Sequence, residues 1–235
     1  MFLDTPDLPA DAETASQPRT LIETAYRQLR RDIIDGLHPA GQKLRVEHLK
    51  FQYQVSAGTL REALALLVSD SLVVSQGQRG FQVAPMSLAD LADLTRVRVL
   101  LECEAVEESM RLGRDSWEAD LVSAFHKLSL AEERLRKNTA DTRDEWEQRN
   151  RQFHEALVGA CRSSWLRKLR AQLYQQSERY RRLSALKGAQ PTEVHEEHSN
   201  IFHAVMARDA ARAKSLLTAH IHRSLTVIGT AGFLE

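Results

Sequence analysis

Asn150 and His154 stand four positions apart, so on a helix an amide oxygen and an imidazole would share one face. His198 and His220 add two imidazoles on later segments. Imidazole nitrogens and oxygen atoms can together hold a divalent metal such as zinc, nickel or manganese. A helical histidine is nevertheless more often a surface or hydrogen-bonded core residue than a ligand, so the residues alone leave both interpretations open.

The remaining histidines are interpreted as ordinary surface or core residues. They are His38, His48, His126, His195, His203 and His222. The arginine-rich stretch 179–182 is interpreted in the same way, as a solvated helix face.

A second group of residues could bind a nucleic acid. Ser56 is a good N-cap, and the leucines that follow fall on one face of the predicted helix. Ala57, Gly58, Thr59 and Arg61 then point outward near its start. The small side chains allow a close backbone approach, and Arg61 can make a bidentate contact to guanine.

The elements around this helix have a recognisable order. Apolar spacing predicts a helix from 21 to about 34, a short helix over 44–53 and, after a tight turn, the helix that begins at Ser56. Residues 72–74 and 81–83 then read as a β-hairpin. This order is typical of a winged helix-turn-helix, whose third helix enters the major groove of DNA. Small helix-hairpin domains also serve as protein-interaction modules, so that alternative stays open.

Three further residues are candidates for DNA contacts. Gln78 and Arg79 lie at the hairpin tip, between Gly77 and Gly80, and Arg45 lies at the start of the short second helix. A hairpin tip can reach the phosphate backbone or the minor groove.

Composition and charge limit the class of protein to which this chain can belong. The chain has 235 residues, 43% hydrophobic and 27% charged, with a formal net charge of +0. Residues 18–85 carry nine Lys or Arg against six Asp or Glu, an excess that permits only a few phosphate contacts. No stretch approaches the roughly 18 apolar residues of a membrane helix, and no secretory signal is recognisable. We therefore expect a cytoplasmic protein, with Cys103 and Cys161 reduced.

The length favours two domains, preceded by an arm without apolar periodicity. We predict a disordered arm over 1–18, a winged helix-turn-helix over 19–85 and an all-helical domain over 86–235. Glycine and proline are sparse in the last part, which predicts an antiparallel α-helical bundle in a mainly α protein. The predicted helices lie near 87–112, 116–137, 141–161, 164–186, 191–208 and 209–228.

Several of these motifs resemble the GntR family of bacterial regulators. The resemblance rests on 39–41 (Pro-Ala-Gly), Val55-Ser56, 61–64 (Arg-Glu-Ala-Leu) and 80–83 (Gly-Phe-Gln-Val), which follow one another at the family's spacing. Most relatives carry Arg at the position of Ala57, which implies that one common base contact is missing. The helical C-terminal part resembles the effector-binding domain of the FadR-type subfamily.

This resemblance implies roles for the residues of the second half. Asn150, His154, His198 and His220 match the subfamily's metal ligands, with Asn150 in place of the usual Asp. An amide is a weaker ligand than a carboxylate, so a lower metal affinity is expected. Arg98 matches an arginine close to the effector, where its planar fork suits a carboxylate. An intrahelical ion pair between Arg98 and Glu102 is an equal alternative.

The resemblance implies a homodimeric transcription regulator, not an enzyme. We expect a repressor of a catabolic operon that binds double-stranded operator DNA. A small carboxylate effector, such as a glutarate-like dicarboxylate or a hydroxy acid, would release it. Two alternatives stay open: a metal-dependent hydrolase or oxygenase with an accessory DNA-binding head, and a metal-free helical scaffold that only dimerises the heads.

Overall fold

The computed structural model describes residues 20–77, 80–137, 142–187, 191–232 and 234. The arm predicted over 1–18 and the hairpin-tip residues Gln78 and Arg79 lie outside these described residues. None of the helices in the described ranges is both long and apolar enough to cross a membrane.

We call the N-terminal group of elements the head. Its elements are α1 (Leu21–Ile34), β1 (Lys43–Leu44), α2 (Val46–Gln52), α3 (Ala57–Ser69), β2 (Val73–Ser75) and β3 (Phe81–Val83). The remaining elements form the bundle. They are α4 (Leu88–Leu112), α5 (Asp115–Lys137), α6 (Arg143–Leu157), α7 (Ser164–Gln176), α8 (Glu178–Lys187), α9 (Pro191–Met206) and α10 (Ala210–Ala231). The predicted fold class, mainly α with a winged helix-turn-helix and a helical bundle, is confirmed.

Helix α3 begins where its N-cap was predicted. The Ser56 hydroxyl accepts a hydrogen bond from the backbone N–H of Thr59 at 3.1 Å. Leu60, Leu64 and Leu67 are fully buried on one face and pack in the core of the head. This packing fixes which side of α3 faces outward.

The head contains a small antiparallel sheet with the strand order β1-β3-β2. The prediction that Leu44 belongs to the second helix is wrong, because Leu44 pairs with Phe81 in strand β1. Two residues are too short to show the alternation that marks a strand. Gly77 and Gly80 have φ values of 60° and 87°, so the hairpin uses its glycines as predicted.

The single helix predicted over 164–186 is wrong, because the chain forms α7 and α8 with a break at Ser177. The carbonyl of Tyr174 accepts hydrogen bonds from the Ser177 hydroxyl at 2.8 Å and from Arg181 at 3.0 Å. Such side-chain donors compete with the helical hydrogen bonds and bend the helix. Periodicity continues through the break, so the sequence pattern does not show it.

Candidate metal centre and nucleic-acid interface

Helices α6, α9 and α10 bring His154, His198 and His220 together inside the bundle. Each offers one ring nitrogen, and these three atoms all lie within 4.8 Å of one another. His154 and His198 are buried, and the His220 side chain is 13% exposed. The three sequence-predicted histidines therefore converge, although 66 positions separate the first from the last.

Several polar atoms in this region lack partners, although they are buried. Among the described residues, Nδ1 of His154, Nε2 of His198 and Oδ1 of Asn150 have no hydrogen-bond partner. The Asn150 amide donates through Nδ2 to the Tyr174 hydroxyl at 2.9 Å, which leaves the oxygen as the free atom. Buried polar atoms are rarely left unsatisfied, so this cluster fits a divalent metal bound by nitrogen and oxygen.

Two carboxylates that sequence reasoning missed orient the histidines. Glu132 lies 2.7 Å from Nδ1 of His198, and Glu197 lies 2.8 Å from Nδ1 of His220. In both histidines Nδ1 faces the carboxylate, so Nε2 points away from it. In metal sites, the imidazole nitrogen that does not bind the metal is commonly hydrogen-bonded to a carboxylate in this way. Glu132 comes from α5, and no spacing in the sequence connects it to His198.

The electrostatics favour neutral imidazoles, the form that binds metals. Burial lowers the pKa of His220 to about 4, in spite of its hydrogen bond with Glu197. Burial also places the pKa of His154 well below its usual value. Burial opposes ionisation of Glu197, but hydrogen bonds from His220 and Arg223 hold the pKa of its carboxyl at about 2.

His195 is close to this site without belonging to the cluster. Its Nδ1 lies 2.6 Å from the second oxygen of Glu132, and its side chain is 36% exposed. His38 is buried against the Tyr53 hydroxyl at 2.9 Å. Both placements agree with the ordinary roles expected for these two histidines.

Arg98 lines the same cavity as the histidines, a space of about 70 Å³. It donates to Glu102 at 3.1 Å and to the Ser177 hydroxyl at 3.0 Å, while its Nε is buried without a partner among the described residues. Arg98 therefore forms the ion pair with Glu102 and also lines the cavity, so the two alternatives predicted for this residue occur together. Glu102 also accepts from Arg170 at 2.9 Å, so two buried arginines share one buried carboxylate.

The arginines of α8 are not the solvated face that the sequence suggests. Arg179 is buried and donates to the carbonyl of Ala84 at 3.0 Å. The Arg181 guanidinium lies 4.2 Å from the centre of the Tyr174 ring. The prediction of a solvated face is wrong because both faces of α8 are covered, one by the head and one by the other helices of the bundle.

The candidate DNA-binding residues of α3 lie on the surface of the head. Gly58 and Arg61 are exposed, and Ala57 and Thr59 are half-buried. Arg61 has no hydrogen bond or ion pair within the described part of the chain. Arg45, before α2, is exposed as well. The polar side of α3 is therefore open to a duplex.

Fold and site together define a DNA-binding transcription regulator with a helical C-terminal domain. Residues 21–83 match the gntR family of bacterial regulatory proteins, and residues 93–223 match the FCD domain. This chain belongs to the GntR family and carries an FCD domain. The expectation of a regulator that is not an enzyme is confirmed.

Two curated relatives span nearly the whole chain. The uncharacterized HTH-type transcriptional regulator BphR of Paraburkholderia xenovorans is 48% identical over 217 residues, covering 92% of this chain and 89% of the relative. The HTH-type transcriptional repressor GlaR of Escherichia coli is 36% identical over 210 residues, covering 88% and 94%. These identities agree with the family assignment.

Solved structures support the fold. E. coli McbR/YncC gives a TM-score of 0.69 at 22% identity, covering 91% of this chain and 99% of that chain. A transcriptional regulator GntR from Rhodococcus sp. RHA1 gives a TM-score of 0.67 at 24% identity, covering 88% of this chain and 97% of that chain.

Proposed function

We propose that this protein is a cytoplasmic repressor of a catabolic operon, which leaves its operator when a small carboxylate effector binds beside a metal in the bundle. The observation that carries this proposal is the set of buried nitrogen and oxygen atoms of His154, His198 and Asn150 that have no partner in the part of the chain that the structure describes. Arg98 lines the same cavity, and its Nε–H has no partner there either. One relative, GlaR, is named a repressor.

His154, His198, His220 and Asn150 would hold the metal, which supplies a positive charge and open positions for an effector oxygen. Glu132 and Glu197 orient two of the rings through hydrogen bonds. Zinc, nickel and manganese all suit this set. The metal-free scaffold remains the competing interpretation, and the unpartnered atoms argue against it.

Arg98 would receive a second effector carboxylate. Its side chain is only 7% exposed, so a charge-assisted hydrogen bond there is shielded from water. This placement favours a short, glutarate-like dicarboxylate or a hydroxy acid. Binding would compete with Ser177 and Glu102 for the donors of Arg98.

For the DNA side, the proposed division is a head over 19–85 and an effector domain over 86–235. Arg61 would contact a base edge, and Thr59 a base edge or a phosphate. Ala57 and Gly58 would let the backbone approach the groove closely. Arg45, Gln78 and Arg79 would meet the backbone or the minor groove.

A homodimer would present two copies of α3 to a palindromic operator. Helices α4 and α7 pack side by side and expose large apolar residues, Leu100 at 61% and Trp165 at 67%. Exposed side chains of this size on neighbouring helices favour an interface with a second copy.

The test combines metal analysis with operator release. Protein purified without chelator should contain about one divalent metal per chain, and glutarate should lower its affinity for operator DNA in a fluorescence-anisotropy titration. We expect His198→Ala to lose both the metal and the response, while operator binding without effector persists. His203→Ala, which removes an exposed imidazole on the same helix, should keep both.

A metal-free wild-type protein that still responds to carboxylates would contradict the metal part of the proposal. A metal-loaded protein that ignores every carboxylate would contradict the effector part.

A further inference from the structure

A cleft of about 220 Å³ lies where the head meets the bundle. Ile34 and Asp35, at the end of α1, form its wall on the head side. Four helices of the bundle, α5, α6, α8 and α9, contribute the rest. Eight of the thirteen lining residues are charged, but apolar atoms form the larger part of the surface. The apolar lining residues are Ile34, Leu135, Trp146, Ala185 and Val194.

The cleft adjoins the histidine cavity. Four residues line both spaces, so only single side chains separate the cleft from the cavity: Trp146, Arg181, Ala185 and Val194. A ligand anchored at the histidines could therefore extend into the cleft without passing through the core of the bundle.

The charges of the cleft limit which ligand group fits there. Its acids are paired: Asp35 lies 2.6 Å from Arg182, Glu147 is bonded to Arg181, and Glu178 is bonded to Arg30. The exposed Asp144 lies 3.3 Å from Arg31. Glu132, the acid nearest the histidines, is held by His195 and His198. Arg143 is the charged lining residue that has no hydrogen bond or ion pair within the described ranges. With the carboxylates satisfied, the apolar side chains gain from contact with an apolar group of a ligand.

We infer that this cleft is a second subsite of the effector site, which receives an apolar group, aryl or branched alkyl, carried by a carboxylate effector. The inference rests on the proposed function, because the carboxylate end needs the histidine cavity. The chemical class it assigns is an amphipathic carboxylate, such as a 2-hydroxy acid with an aromatic substituent, in addition to the short acids.

Occupancy of this subsite would bear directly on the DNA-binding head. A group in the cleft would touch Ile34 and lie beside the ion pair between Asp35 of the head and Arg182 of the bundle. A ligand shifts a two-state equilibrium only through different contacts in the two states. An effector that touches both bodies has such contacts, whereas a short acid confined to the bundle acts only at a distance.

Matched ligand pairs test the subsite on the metal-loaded full chain. Glycolate and mandelate share a 2-hydroxy carboxylate and differ by a phenyl group, as do succinate and phenylsuccinate. We expect calorimetry to give at least about tenfold tighter binding for each phenyl compound, since burial of a ring removes a large apolar surface from water. Equal or weaker binding of both phenyl compounds would overturn the inference.

Two variants approach the cleft from opposite sides. Ile34→Trp fills it from the head and Leu135→Trp from the bundle, and each should abolish the phenyl advantage while leaving glycolate affinity within twofold. Val122→Trp, at an exposed position of α5 outside the cleft, is the matched control. Because two elements are used, a folding defect in one variant does not decide the result.

The outcomes separate the two proposals. If short acids bind and release the operator but the phenyl compounds gain nothing, the proposed function stands and the subsite is wrong. If neither member of either pair binds the metal-loaded protein, the effector proposal fails and the subsite fails with it. A phenyl advantage that survives both tryptophan variants would place the ring elsewhere and overturn the cleft assignment.

Discussion

At the scale of single residues, Asn150 is the uncharged member of the proposed ligand set. Its buried amide oxygen has no partner among the residues that the structure describes, while its Nδ2 donates to the Tyr174 hydroxyl. The sequence shows an amide at this position but not its orientation. The hydrogen bond with Tyr174 is what leaves oxygen as the free atom.

Asn150→Asp should strengthen metal binding. A carboxylate adds a full negative charge to the ligand set, and Tyr174 can donate its hydroxyl proton to the new oxygen. We expect a dissociation constant for zinc lower by at least about tenfold, equivalent to about 1.4 kcal/mol, in a chelator competition assay. Gln148→Glu makes the same charge change at an exposed position of α6 and should have little effect. An unchanged constant in Asn150→Asp would remove residue 150 from the ligand set.

Arg61 is the exposed cation of α3 that has no ion-pair partner within the described ranges. Arg61→Ala should weaken operator binding by about 1–3 kcal/mol, the usual cost of losing one base contact. Anisotropy titration against operator and scrambled duplexes at fixed salt measures this loss. Arg96→Ala, which removes an exposed arginine on α4, provides the control for charge alone. If both variants lose affinity equally, Arg61 acts through general electrostatics.

At the scale of elements, the junction of α7 and α8 connects the histidine cavity with the head. Ser177 accepts from Arg98, which lines the cavity. On either side of it, Gln176 donates to the carbonyl of Asp70, just after α3, and Glu178 binds Arg30 of α1. Three consecutive residues thus contact the cavity, the end of α3 and the first helix.

Breaking the contact between Glu178 and Arg30 should weaken the coupling between the two sites. We expect Glu178→Gln and Arg30→Gln each to reduce the effector-induced change in operator affinity, and the double variant to reduce it no further, because both remove one interaction. Arg27→Gln, which breaks an exposed ion pair within α1, should leave the response intact. Operator titrations with and without effector measure the change. Additive losses would show that the two residues act independently.

At the scale of the whole molecule, the proposed dimer would bring two copies of α3 to the operator. Leu100→Glu places a charge at an exposed apolar position of α4, where burial in an interface would be costly. We expect sedimentation equilibrium to show monomers and operator affinity to fall. Val122→Glu, at another exposed apolar position, should remain dimeric. A dimeric Leu100→Glu protein would place the interface elsewhere.

The amino-acid sequence by itself determined the class of elements and most of their positions. Helical periodicity, the N-cap at Ser56 and the glycines of the hairpin act over a few residues, so a linear pattern records them. Strand β1 and the break at Ser177 were missed. The first is fixed by pairing with Phe81, and the second by hydrogen bonds to the carbonyl of Tyr174.

Only the tertiary structure decided how the site is assembled. The family motifs pointed to the histidines, but packing of α6, α9 and α10 brings their nitrogens within 4.8 Å. Glu132, which orients His198, comes from α5, and Arg179 is buried because α8 lies between the head and the other helices of the bundle. Contacts between helices far apart in the chain depend on side-chain packing in three dimensions, and local periodicity holds no information about them.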